Sequence, residues 1–302
     1  MKKQTEQKNK ELTLLSVYND DLRRLKSRVG IDRSASTWKS LSQGRDYVER
    51  YLKECCEVDD ICLDAIVPQF ISDFSIFMST ECGLRNGTVW LACQQLKGVV
   101  TRAHQRGFLS WNPFASFHIS KNIRPREYLS EEELRNLIDY KFKKSSLVFA
   151  RDVFVFSAFT GLSFIDIKEL KKENIKIVNG AKWILSERHK TKTPFQVKLL
   201  NIPLSILNKY EQQGTFAFKN MEYRTMAKRI RKVIDEVGIQ KNISYHCARH
   251  TFAVMALNKG MPIESLSRIL GHTNIATTQI YAKITLQKLD SDMTKLAERI
   301  TF

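Results

Sequence analysis

The chain has only six cysteines, Cys55, Cys56, Cys62, Cys82, Cys93 and Cys247, and no two of them stand at C-x-x-C spacing. That excludes a cysteine metal knuckle and a dithiol redox motif, and the thiols read as reduced, small apolar residues. No run of about 18 apolar residues occurs, so no segment reads as an apolar helix spanning a bilayer. Met1 to Lys10 is polar and charged and lacks the apolar stretch of a secretion signal. There is no Gly-rich phosphate loop, no Asp/Glu/His spacing suited to a metal, no internal repeat and no low-complexity tract. Nucleotide hydrolysis and metal catalysis are therefore not indicated, and no cofactor is expected.

What the chain does have is positive charge. Its 302 residues carry a formal charge of +17 at pH 7 and a pI near 9.6. Such a field favours polyanions, because each phosphate neutralised by Lys or Arg releases a counterion. Most of the excess falls after Glu127. A hydrophobic content of 43% is ample for a core, and the length suggests about two domains.

Residues 10 to 118 read as helices alone. Leu12, Leu15, Tyr18, Leu22 and Leu25 recur at helical spacing and stop at Gly30, while Trp38, Leu41, Val48 and Leu52 mark a second helix opened by Ser36 or Thr37. Val67 to Cys82 and Thr88 to Arg106 give two more, closed by Gly83 and Gly107. The basic residues of this bundle, Arg102 and Arg106 among them, form either a solvated face or one that grips a nucleic-acid backbone. Ala115 to Glu127, with Lys121, Arg124, Pro125 and Arg126 and no clear period, reads as a linker. A capping box opens at Ser130, with Glu133 three residues on, and starts the second domain. The expected organisation is a helical domain over 1–118, a linker over 119–127 and a second domain over 128–302.

In that second domain a helix from about Ser145 to Phe159 ends at Gly161. Ile175 to Val178 and Trp183 to Ser186 flank Asn179-Gly180, a strong hairpin signal, and Phe195 to Leu200 supplies a third strand. Further helices are expected over Pro203 to Tyr210, Met221 to Val237, His246 to Asn258, Pro262 to Leu270 and about Thr285 to Ile300. The fold class is mainly α with a small three-stranded antiparallel sheet.

The chemistry-bearing residues follow in a fixed order: His246 and Arg249 in Tyr245-His246-Cys247-Ala248-Arg249, then His272 after Leu270-Gly271, then Tyr281 in Ile280-Tyr281-Ala282. His246 and Arg249 stand one helical turn apart and share a face. Two imidazoles and a guanidinium can hold a phosphodiester while a phenol attacks it.

The ordered set resembles the tyrosine recombinase (phage integrase) family, and the resemblance covers nearly the whole chain. It implies a helical core-binding domain followed by a catalytic domain. It further implies that Tyr281 attacks a scissile phosphate of double-stranded DNA and forms a 3′-phosphotyrosyl link, so that bond energy is kept and neither metal nor ATP is needed. By the same resemblance His246 orients the nucleophile or accepts its proton, while Arg249 and His272 hold non-bridging oxygens. The family's general-acid lysine lies at the turn between the second and third strands, where Lys190 is favoured and Lys192 is the alternative; both otherwise touch DNA backbone. Lys192, Arg102, Arg106, Lys121 and Arg124 are the expected DNA-binding residues.

One departure concerns the family's first arginine, which usually follows Thr-Gly-Leu. Here Thr160-Gly161-Leu162 is followed by Ser163, with Asp166 and Glu169-Leu170 continuing the motif. A hydroxyl cannot replace a guanidinium. Either the enzyme is impaired or another cation serves, and a subgroup of mobile-element integrases looks similar in carrying serine here. Arg188, two residues before Lys190 and so on the same strand face, is the expected substitute. Asp166 is expected either to hold neighbouring basic groups in place or to be a plain surface carboxylate.

The function implied is site-specific recombination, by integration, excision or inversion. The alternatives are a non-catalytic DNA-binding relative and a type IB topoisomerase-like enzyme. The first helix begins near residue 10, leaving no room for the arm-binding domain of larger integrases. The expected setting is the cytoplasm, on the nucleoid and away from membranes. The expected assembly is a homotetramer on two sites, with accessory DNA-bending proteins. Leu286, Leu289, Met293, Leu296 and Ile300 make an apolar stripe on the last helix, which docks either on a neighbour or on its own domain.

Overall fold

The computed structural model describes residues 12–121, 127–189, 191–210, 214–219, 221–281 and 286–300, without the side chains of residues 286–288, 291 and 299. The chain divides into two compact units, Met1–Arg124 and Pro125–Phe302. Among the described residues no helix is long and apolar enough to cross a membrane. All six cysteines are free thiols, with Cys93 and Cys247 buried.

The described part of the first unit holds helices α1 (Leu14–Ser27), α2 (Ala35–Cys55), α3 (Gln69–Thr80) and α4 (Asn86–Gln105). Leu14, Tyr18, Val48, Leu52, Ile71, Phe74, Leu96 and Val100 meet in one core, each side chain of this size contributing about 1.5–3 kcal/mol on burial. One detail differs from the sequence reading. The cap of α2 is Ser34, whose hydroxyl accepts from the Thr37 N–H at 3.2 Å, rather than Ser36 or Thr37. Gly44, in the middle of α2, is required by packing, since a Cβ there would run into the Gln95 side chain of α4 and lie 2.8 Å from the Tyr18 hydroxyl.

Arg102 and Arg106, expected on a DNA-gripping face, lie at the bundle surface, Arg102 exposed and Arg106 half-buried, and both pair with one buried carboxylate. Arg102 Nε donates to the Asp21 carboxylate at 2.7 Å, and Arg106 Nη2 donates to its other oxygen at 2.8 Å. Asp21 is 5% exposed. A carboxylate buried there needs both cations, so these arginines tie α4 to α1. Lys121 lies over the Trp90 ring at 4.8 Å, and Arg124 lies outside the described residues.

The second unit is built around α6 (Ser145–Thr160), which follows α5 (Glu131–Asp139). The Ser130–Glu133 capping box opens α5 as read from the sequence. Leu147, Phe149, Ala150, Val153, Phe154, Val155, Phe156 and Ala158 are all buried, so α6 packs on every side and forms the central rod of the unit. After α7 (Phe164–Lys168) come β1 (Ile175–Val178), β2 (Ala181–Glu187) and β3 (Pro194–Lys198), an antiparallel sheet in the order β1-β2-β3. Val178 pairs with Ala181 across Asn179-Gly180, both at positive φ, which is the two-residue turn that this dipeptide favours. Next are α8 (Asn201–Lys209), α9 (Tyr223–Val237), α10 (Tyr245–Asn258), α11 (Ile263–Leu270), α12 (Ala276–Gln279) and α13 (Leu286–Arg299).

Two short helices, α7 and α12, were absent from the sequence reading. On α13 the expected apolar stripe is unpacked: Leu289, Met293, Leu296 and Ile300 are each 47% or more exposed. The alternative that this helix packs on its own domain is not the arrangement found. The side chain of Leu286 lies outside the description.

Candidate active site

The site forms where α6 ends. Gly161 closes that helix at φ 68°, and a Cβ there would come within 2.6 Å of the Phe252 ring and 2.9 Å of Leu270. Only glycine lets the chain turn so close to α10 and α11. The Gly161 carbonyl then accepts from Arg249 Nη1 at 2.8 Å, and the Leu270 carbonyl, at the end of α11, accepts from Arg249 Nη2 at 2.6 Å. Arg249 is thereby fixed, 8% exposed, between two helix C-termini whose carbonyl dipoles favour a cation.

Gly271, in the left-handed region at φ 60°, reverses the chain after α11 and delivers His272 to Arg249. His272 Nε2 lies 2.9 Å from Arg249 Nη2, and its Nδ1 lies 2.8 Å from Thr278 Oγ1. Arginine can only donate, so Nε2 accepts and the imidazole proton sits on Nδ1. Burial, together with the charges of Arg249 and Arg188, pulls His272 down from its ordinary value to about 4. It is therefore neutral at pH 7 without DNA. Burial and the neighbouring Arg188 lower Arg249 to about 10, which leaves it charged.

Tyr281 is 7% exposed and packs with Phe252, Ala253, Ala256, Leu266 and Leu270. Its phenol lies close enough to Arg249 to act on that charge, and its ring lies parallel to His272 at 6.4 Å between centroids. His246 is exposed and touches the buried His250 ring, which in turn meets Tyr281.

Arg188 joins the same cluster from the sheet. It does so from a turn rather than from a strand face as expected: β2 ends at Glu187, the Arg188 N–H donates to the Thr193 carbonyl at 2.9 Å, and Lys192 N–H donates back to the Arg188 carbonyl at 2.9 Å. Its guanidinium is 6% exposed, donates to Asp166 Oδ2 at 2.6 Å and to the Ile269 carbonyl at 2.9 Å, and lies 4.1 Å over the Phe195 ring. Asp166 also accepts from Ser163 Oγ at 2.7 Å and from the backbone N–H groups of Ser163 and His189, each at 3.2 Å. Burial alone would raise this carboxyl, but the Arg188 charge and these hydrogen bonds outweigh it and hold it below the usual range. Asp166 is thus no plain surface carboxylate. Ser163 caps α7 and leaves a cavity of about 330 Å³ beside it, lined by Phe164, Ile165, Lys168, Tyr223, Tyr245 and His246.

Of the residues picked from sequence, Arg249, His272, Tyr281, Arg188, Asp166 and Ser163 therefore converge, with His246 at the margin. Lys192 is exposed at φ 54° on the β2–β3 turn, and Lys190 lies outside the described residues. Thr278, His189 and His250 escaped the sequence reading. His250 alone carried a signal, standing four residues after His246 on the same helix face. Among the described residues no group of three or more His, Cys, Asp or Glu is placed to hold a metal ion.

The family model described as the phage integrase family matches residues 127–288. The chain belongs to the phage integrase family. The phage integrase SAM-like domain matches residues 13–120, so the family accounts for both units. The chain is 24% identical over 236 residues to tyrosine recombinase XerC of Oceanobacillus iheyensis, which spans 72% of this chain and 77% of that protein. Its similarity to XerC of Lactobacillus leichmannii is 22% over 236 residues, spanning 73% and 80%. Among solved structures, the Tn1549 transposon integrase in complex with circular intermediate DNA shares the fold at a TM-score of 0.74 and 18% identity, over 94% of this chain and 99% of that one. As a phage integrase family member the chain is a tyrosine recombinase, an enzyme of site-specific DNA recombination.

Proposed function

We propose that Tyr281 is the nucleophile of this recombinase and that Arg249, His272 and Arg188 bind the phosphate it attacks. The observation that carries the proposal is the buried Arg249, which bonds His272 beside Tyr281 while two helix-end carbonyls hold it still. Donors fixed before the substrate arrives need no reorganisation when charge develops, and one such contact is worth about 3 kcal/mol or more.

The phenol oxygen bonds to phosphorus and the bond to the 5′-oxygen breaks, leaving a 3′-phosphotyrosyl link and a 5′-hydroxyl. His246 takes the phenolic proton, and Lys190, with Lys192 as the alternative, gives a proton to the leaving oxygen. Arg188 supplies the positive charge that Ser163 lacks, held in place by Asp166. Attack of a partner strand's 5′-hydroxyl on the phosphotyrosine reverses these steps and completes the transfer.

The helical domain expected over residues 1–118 grips the core site, and the domain expected from residue 128 does the chemistry. Exposure of Leu289, Met293, Leu296 and Ile300 on α13 supports docking of this helix on a neighbouring protomer. The assembly is then a homotetramer on two duplex sites in the nucleoid, with DNA-bending proteins where a site must be curved. The test of the nucleophile is Tyr281→Phe, which removes one oxygen and keeps the ring. It should bind a recombination site as the parent does and form no adduct on a denaturing gel; an adduct that persists contradicts the assignment.

A further inference from the structure

We infer that His250 is a positioning residue for Tyr281, holding the phenol ring at the angle from which it attacks. The inference rests on Tyr281 being the nucleophile. His250 follows Arg249 directly on α10 and is 6% exposed. Its ring meets Tyr281 edge-on, with centroids 4.8 Å apart and planes at 68°. It also meets His246 in the same manner, at 4.9 Å and 67°. Tyr281 is thus bounded by the His250 ring and by His272, whose plane is 8° from parallel at 6.4 Å.

The chain around Tyr281 gives reason for such a clamp. The nucleophile follows α12, which has only four residues, and its backbone N–H is bonded to the Thr278 carbonyl at 3.0 Å. A helix this short does not hold itself. The phenol's orientation must come from the surfaces its ring touches. Edge-to-face contact is the preferred geometry for aromatic rings, because the positive ring edge meets the negative face. Phe252, Leu266 and Leu270 supply an apolar bed without fixing ring rotation, and His250 adds the directional contact. Because Arg249 and His250 are adjacent on one helix, the phosphate ligand and the clamp keep a constant spacing. Transfer chemistry is sensitive to that spacing, since a misplacement of about 1 Å lowers a rate on the order of 100-fold.

The test uses the full chain and a nicked suicide DNA substrate, reading the cleavage rate at saturating enzyme and the half-saturating concentration. His250→Phe keeps a ring, His250→Leu keeps bulk alone, and His250→Gln keeps polarity without a ring. Leu and Gln should cleave about 10- to 100-fold more slowly with half-saturation unchanged, while Phe stays within about threefold of the parent. Parental rates for Leu and Gln overturn the inference, as does a loss confined to half-saturation. Rescue by Gln where Phe is slow also overturns it, since it moves the role to a hydrogen bond. If thermal melting shows that Leu and Gln do not fold, Phe decides alone: near-parental cleavage supports the clamp, and a tenfold or greater loss refutes it. Tyr281→Phe in the same assay separates the two claims. An adduct there removes the nucleophile itself, whereas its absence beside a fast His250→Leu removes only the clamp.

Discussion

Replacing Asp166 with asparagine keeps the shape of the side chain and removes one charge from the middle of the site. In the parent, Oδ2 accepts from Arg188 Nη1, Ser163 Oγ and the Ser163 N–H, and Oδ1 accepts from the His189 N–H. The amide would turn its NH2 to the less crowded His189 side, so the loss is one hydrogen bond and the charge that balances Arg188. With Arg188 6% exposed, its guanidinium is left buried, uncompensated and facing the like charge of Arg249. Removing one partner of a buried ion pair costs about 3–5 kcal/mol, so urea unfolding of the catalytic unit should show a loss near the lower end of that range. Cleavage of a suicide substrate should fall on the order of 100-fold, as expected when a transition-state contact is displaced. Arg188→Ala should slow cleavage by a similar factor, and Arg188→Lys should not restore it, because an ammonium cannot fork between Asp166 and the Ile269 carbonyl. If Asp166→Asn cleaves at the parental rate and stays within about 1 kcal/mol of the parent, far below the cost of breaking a buried pair, the carboxylate does not hold Arg188. If Arg188→Ala cleaves as fast as the parent, Arg188 is not the substitute for the missing arginine.

The depressed His272 predicts a pH dependence. Between its unfolded value of 6.5 and its folded value of about 4 the native state binds fewer protons than the unfolded chain, so stability is present above pH 6.5 and is lost as pH falls towards 4. Allowing for its half-exposed ring, the His272→Asn variant should lack about 1–2 kcal/mol of the parent's acid destabilisation in urea titrations at several pH values; identical pH profiles for the two would contradict it. Deleting residues 286–302 should leave binding to a single site intact, weaken cooperative occupation of paired sites and abolish recombination. Normal recombination by the truncated chain, or its failure to fold as a monomer, would show that the exposed stripe of α13 is not an exchange surface.

Much of this architecture can be read from local signals. Ser130 with Glu133 announced α5, Asn179-Gly180 announced the hairpin, and the interval from Arg249 to His272 to Tyr281 marked the site. These are short-range rules, satisfied within a few residues of chain. What could not be read depends on partners distant in sequence. Arg102 and Arg106 resemble any basic helix face until Asp21, some 80 residues earlier, is seen buried between them. Arg188 stands one residue past the end of β2, where strand alternation no longer applies and a turn closed by Thr193 sets its direction. The run Ser34-Ala35-Ser36-Thr37 offers three hydroxyls that can cap a helix, and the sequence does not rank them. α7 has five residues, too few for a period, although Ser163 and Asp166 stand at capping-box spacing. His250 stands one helical turn after His246, but that spacing gains a meaning only from the two rings it touches.

The central claim is that Tyr281 becomes joined to DNA. It is tested most directly by trapping the parent protein on a suicide substrate, digesting the adduct with protease and nuclease, and locating the modified residue by mass spectrometry. The account predicts a nucleotide linked through its 3′-phosphate to Tyr281. A nucleotide found on any other residue, or an adduct joined through a 5′-phosphate, would contradict it.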